Sequence, residues 1–124
     1  MNKRVLVVDD SEIVLAMASE ALAAKGYEVC TALSAAAADR FIYSDERPDV
    51  IIMDVMMPMQ DGDKKTLMLK SEASTRDIPV LLLSSKSESE LARLAAESGA
   101  DGYIRKPFTF REFIESIEVI SAKN

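Results

Sequence analysis

Histidine and tryptophan are absent from this chain of 124 residues. Without histidine, imidazole general-base catalysis and histidine-ligated metal sites are excluded within the chain. A single cysteine, Cys30, permits no disulfide inside the chain. It lies in a strand-like stretch, Tyr27 to Ala32, and reads as a buried structural thiol, with a reducing cytoplasm as the natural setting. Basic residues are outnumbered, 15 Lys and Arg against 21 Asp and Glu, for a net charge of −6. That balance argues against direct nucleic-acid binding, which needs a basic footprint. No apolar stretch approaches the roughly 18 residues of a membrane span. The N-terminal Met1-Asn2-Lys3-Arg4 leads into a short valine-rich run closed by two aspartates, which is no signal peptide. No linker or low-complexity segment interrupts the chain, so residues 1–124 are expected to form one domain.

What is present is a set of apolar runs that end in charge. Val5-Leu6-Val7-Val8 ends in Asp9-Asp10, and Val50-Ile51-Ile52-Met53 ends in Asp54. Tyr103-Ile104-Arg105 ends in Lys106-Pro107. Unbroken apolar runs of this length read as strands buried on both faces, which means a parallel sheet covered by helices. Parallel strands share one C-terminal edge, and the crevice at that edge is where open α/β folds place chemistry. Three carboxylates and an ammonium are expected to converge there. Crowded like charges repel and call for a cation. Hard oxygen ligands suit Mg²⁺, which keeps positions open for phosphate oxygens.

Between the runs the pattern is helical. The first strand covers about residues 4–9. Ser11 is placed to cap a helix to about Lys25, with Ile13, Val14, Met17, Ala21 and Leu22 as its inward face and Gly26 as its stop. After the strand 27–32, Ser34 starts a second helix to about Ser44. The strand 50–54 is followed by the loop 57–62, where Gly62 is expected to supply a positive φ. A third helix is expected over about 63–71. Its consecutive Leu67, Met68 and Leu69 cannot all face a sheet. They are either partly exposed apolar residues or a small contact patch. Pro79 opens the strand 80–84, and Ser87 with Glu90 suggests a capping box for a helix ending at Ser98-Gly99. A strand over 103–106 and a helix over about 109–121 complete the chain. Regular alternation implies right-handed crossovers and helices on both faces.

These elements resemble the receiver domain of two-component response regulators, nearest in shape to the stand-alone chemotaxis-type receiver. The resemblance rests on Val7-Val8-Asp9-Asp10, on Asp54 with Met57-Pro58 and Asp61-Gly62, on Pro79-Val80 through Ser84-Ser85, and on Gly99 through Phe108. It implies a flavodoxin-like, doubly wound five-stranded parallel sheet in order 2-1-3-4-5 with five helices. It implies that Asp54 is the phosphoacceptor. Asp10 then binds Mg²⁺ (or Mn²⁺) directly, Asp9 acts through water, and the backbone carbonyl of Met56 is the third protein ligand. A carboxylate is a modest nucleophile, so a metal and Lys106 beside it suit the developing charge. Ser84 matches the hydroxyl that bonds the phosphoryl group, Tyr103 the aromatic switch residue, and Pro107 the proline of a cis Lys-Pro bond. Met56 and Lys86 match the two positions flanking the path of attacking water.

The function that follows from the resemblance is a phosphoacceptor switch of a phosphorelay. A partner histidine kinase or histidine phosphotransfer protein supplies the phosphoryl group. The surface of the fourth helix, fifth strand and fifth helix then repacks. Such a domain catalyses its own phosphorylation and dephosphorylation without being a conventional turnover enzyme. The output is a downstream protein target or an output domain. Met1 fits a natural N-terminus, and Asn124 falls where linkers to output domains begin. A degenerate receiver acting only as a binding module is the alternative. A flavodoxin-type cofactor protein is disfavoured, because Asp9-Asp10 stands where a phosphate loop is needed. A haloacid-dehalogenase-type phosphatase needs an aspartate where Met56 stands.

Overall fold

The computed structural model describes residues 3–122. Five strands and five helices alternate: β1 Arg4–Val8, α1 Glu12–Ala24, β2 Glu28–Ala32, α2 Ala35–Ile42, β3 Val50–Asp54, α3 Gly62–Ser71, β4 Val80–Ser84, α4 Glu88–Ser98, β5 Gly102–Arg105 and α5 Phe110–Ala122. All strand pairs are parallel, in the order β2-β1-β3-β4-β5. The expected strand order and helix count are both observed.

Side-chain alternation along the strands makes two cores. Leu6, Val8, Ile51, Met53, Val80 and Leu82 face α2, α3 and α4, where Ala38, Ile42, Leu69 and Leu91 meet them. Val5, Val7, Val50, Ile52, Leu81 and Leu83 face α1 and α5, where Leu22, Phe113 and Ile117 close the other layer. Truncating one of these buried leucines or isoleucines to alanine removes about 2–5 kcal/mol.

Three expectations need correction. The buried face of α1 is Leu15, Ala18, Ala21 and Leu22, while Ile13 is 73% and Met17 41% exposed. This helix is apolar nearly all round, so periodicity alone did not select a stripe. Gly62 is not the left-handed residue of the β3–α3 loop; Met59 is, with φ of 76°. Gly62 is needed for close approach: a Cβ there would lie 1.9 Å from the Asp54 carbonyl oxygen. Its N–H donates to Val55 O at 2.8 Å, which binds the helix start against the end of β3. Cys30 is only half-buried, because β2 is an edge strand; burial still raises its thiol pKa.

In α3, Leu69 is buried while Leu67 and Met68 are about half exposed. Lys65 and Thr66, polar residues early in α3, are buried. Lys65 Nζ reaches Asp39 Oδ1 on α2 at 2.5 Å, and Thr66 Oγ1 donates to Gly62 O at 2.8 Å. Both polar groups are therefore satisfied where they are buried. The predicted caps hold: Ser11, Ser34 and Ser87 accept from the N–H groups of Val14, Ala37 and Glu90. Gly26, just beyond α1, has the left-handed φ of 87° that the stop needed.

Candidate functional site

Register places the charges. Val8 is level with Met53 across β1 and β3, so Asp9 and Asp54 emerge side by side at the C-terminal edge. Asp54 is level with Leu83 of β4, and Ser84 with Arg105 of β5, which delivers Ser84 and Lys106 to the same edge. One carboxylate oxygen from each of Asp9, Asp10 and Asp54 falls within a mutual 4.8 Å. Asp9 is fully buried, Asp54 is 4% exposed, and Asp10 is open to solvent.

Lys106 is the local cation. Its Nζ lies 2.8 Å from Asp9 Oδ2 and 3.3 Å from Asp54 Oδ1. The Lys106-Pro107 bond is cis, as the resemblance implied. Asp9 Oδ1 accepts the Ser11 N–H at 2.9 Å. Asp9 Oδ2 is buried, and among the described residues its one close polar partner is the Lys106 ammonium, as an ion pair at 2.8 Å.

One ammonium does not balance three carboxylates. Burial, with the neighbouring Asp9 charge adding to it and Lys106 pulling the other way, raises the Asp54 pKa from 3.8 to about 6. Burial lowers the Lys106 pKa, but its contacts with Asp9 and Asp54 outweigh this and leave it raised. The residual negative charge and the under-coordinated Asp9 oxygen fit a hard divalent cation, and the donors are all oxygen.

Ser84 is buried, and its Oγ accepts the Lys86 N–H at 3.1 Å. With that acceptor position used, the hydroxyl proton is free to be donated elsewhere. Tyr103 is half-buried against the α4-side core, and its hydroxyl donates to Glu88 Oε1 at 3.4 Å. Met56 is 61% exposed in the turn after Asp54. Lys86, beside the site, is paired with Glu90 at 3.0 Å.

Two neighbours escaped the sequence reading: Glu88, partner of Tyr103, and Arg105, whose Nε donates to Lys86 O at 3.0 Å. Only the i,i+4 spacing of Lys86 and Glu90 was visible locally.

Fold and site define a doubly wound α/β domain with a partly buried acidic cluster and a lysine at the carboxyl edge of its sheet. The chain belongs to the response regulator receiver domain family, whose model matches residues 5–118. It is a receiver domain of the two-component phosphorelay type. Among curated relatives, the transcriptional regulatory protein PrrA of Mycobacterium tuberculosis is 38% identical over 119 residues, covering 96% of this chain and 50% of that protein. The phosphate regulon transcriptional regulatory protein PhoB of Escherichia coli is 34% identical over 120 residues, covering 97% and 52%. The chain thus spans about half the length of these relatives. Among solved structures, a putative response regulator from Chloroflexus aurantiacus has a TM-score of 0.92 at 31% identity, covering 98% of this chain and 99% of its own. The Vibrio cholerae chemotaxis protein CheY4 has a TM-score of 0.89 at 29% identity, covering 97% and 99%. No helix among the described residues is long and apolar enough to cross a membrane.

Proposed function

We propose that residues 1–124 act as a single switch domain that takes a phosphoryl group on Asp54 in a divalent-cation-dependent reaction. The observation that carries this is the buried Asp54 carboxylate, in one cluster with Asp9, Asp10 and Lys106. Asp9, Asp10, Asp54 and the Met56 carbonyl are the proposed holders of Mg²⁺ or Mn²⁺. Such an ion, when bound, neutralises charge on the carboxylates and on the transferring phosphoryl oxygens.

The remaining work falls to side chains. Asp54 attacks phosphorus as the carboxylate, the form that carries the nucleophilic oxygen. Lys106 meets the incoming negative charge as a point-like ammonium. Ser84 donates its free hydroxyl proton to a phosphoryl oxygen. Tyr103 then leaves Glu88 and follows Ser84 inward, and the α4–β5–α5 surface repacks.

The donor is a histidine kinase or histidine phosphotransfer protein, because this chain offers no histidine of its own. The P–N bond of the donor breaks as the P–O bond to Asp54 forms. The output is a protein target or an attached output domain, in the cytoplasm, without direct nucleic-acid contact by this domain. The test is incubation with a small phosphodonor and Mg²⁺, read by intact mass. One phosphate on the wild type and none on Asp54→Asn is expected. Full labelling of the variant reassigns the acceptor.

A further inference from the structure

We infer that Arg105 and Glu88 are positioning residues, which together hold the β4–α4 loop against β5 and set how readily the domain switches. This rests on the proposed roles of Asp54, Ser84 and Tyr103.

Ser84 ends β4, and α4 begins at Glu88, so only residues 85–87 separate the site hydroxyl from the helix. Two contacts cross from β5 onto this segment and the first residue of α4. Arg105 Nε donates to the Lys86 carbonyl at 3.0 Å, and Tyr103 Oη donates to Glu88 Oε1 at 3.4 Å. A third contact is internal: Lys86 Nζ pairs with Glu90 Oε1 at 3.0 Å, which ties the loop to the first turn of α4. The loop is thus held at Lys86 and at the start of α4, and neither Arg105 nor Glu88 is paired with a site carboxylate.

Ser84 cannot follow a phosphoryl group at Asp54 without carrying Lys86, two residues on, and that movement pulls the Lys86 carbonyl from Arg105. Tyr103 cannot turn inward while its hydroxyl stays on Glu88. Both contacts therefore favour the conformation described here over the shifted one. A ligand specific for the shifted conformation binds with an apparent affinity lowered by that bias. Each contact is exposed and is worth no more than an ordinary net hydrogen bond, so its loss raises that affinity about three- to tenfold.

The direction of change separates this role from a structural one. A residue needed only for stability weakens ligand binding when removed, whereas a residue holding the loop back strengthens it. The experiment titrates beryllofluoride with Mg²⁺, a phosphoryl mimic, into the whole domain and follows backbone amide shifts. Urea unfolding of each protein runs alongside. Arg105→Leu and Glu88→Ala are each expected to bind about threefold tighter or more, with faster amide exchange in residues 85–87 before the mimic is added. Arg105→Lys and Glu88→Gln, which keep a donor and an acceptor, are expected to stay near wild type. Unchanged or weaker binding in Arg105→Leu and Glu88→Ala overturns the proposal. Equal binding to wild type and Asp54→Asn instead overturns the site assignment on which it rests.

Discussion

Removing the Asp54 charge should stabilise the metal-free domain. The carboxyl is buried beside Asp9, and its pKa is raised from 3.8 to about 6. For an acid with a raised folded-state pKa, the sign is the reverse of the usual paired carboxylate. The folded state holds the proton more tightly than the unfolded state, so stability is full below about pH 3.8 and is lost as pH rises through about 6. Roughly two units at 1.36 kcal/mol each give about 3 kcal/mol of destabilisation near neutral pH, of which about 1–3 survives structural relaxation. The raised value already includes the pull of Lys106. In Asp54→Asn that lysine keeps Asp9 at 2.8 Å, so its charge is not orphaned. For a chain of this size the gain corresponds to about 4–10 °C in Tm. Thermal and urea unfolding with a chelator present, near pH 7.5 and again near pH 4, measures it. Asp54→Asn should exceed wild type near neutrality, and most of the gain should vanish at the acid end. Saturating Mg²⁺ should narrow the neutral gap by stabilising the wild type. A variant less stable than wild type near pH 7.5, or equally stabilised at both pH values, would refute the electrostatic reasoning.

Other outcomes follow from single contacts. Asp10→Ala should bind Mg²⁺ at least about tenfold more weakly, since one of three carboxylates is lost; calorimetry checks this, and unchanged affinity removes Asp10 from the cation site. Gly62→Ala should be among the most damaging single substitutions, beyond about 4 kcal/mol, because its Cβ would lie 1.9 Å from the Asp54 carbonyl oxygen; near-native urea unfolding would contradict that close approach. Met56→Asn should shorten the lifetime of the phosphoryl group, because an amide can orient the attacking water where a thioether excludes it. Phosphate release from purified phosphoprotein measures that lifetime, and an equal or longer one shows that Met56 does not shield the bond.

Much of the site was legible because its residues stand at the ends of apolar runs. Val5–Val8 and Val50–Met53 are buried on both faces, so they read as parallel strands without knowledge of their neighbours. Parallel strands send their following residues to one edge, so the run ends alone bring Asp9, Asp10, Asp54 and Lys106 together. Helix starts were equally local, since a cap needs only a serine and an N–H three residues on.

Other features depend on partners far along the chain. Leu15 rather than Ile13 faces the sheet because α1 has apolar residues on every side, and only docking against the sheet and α5 chooses among them. Lys65 is buried because Asp39, 26 residues earlier, is there to meet it. Gly62 is required by a backbone approach to Asp54, not by its own φ. The raised Asp54 pKa comes from burial and a neighbouring carboxylate. The contacts of Arg105 and Glu88 exist because the β4–β5 register aligns Ser84 with Arg105. The sequence by itself determined strand and helix periods, caps and the charged strand ends, which are properties of short windows. Tertiary structure alone decided which helix face is inward, which charges are desolvated and which side chains restrain the loop, because those energies depend on distances between residues remote in the chain.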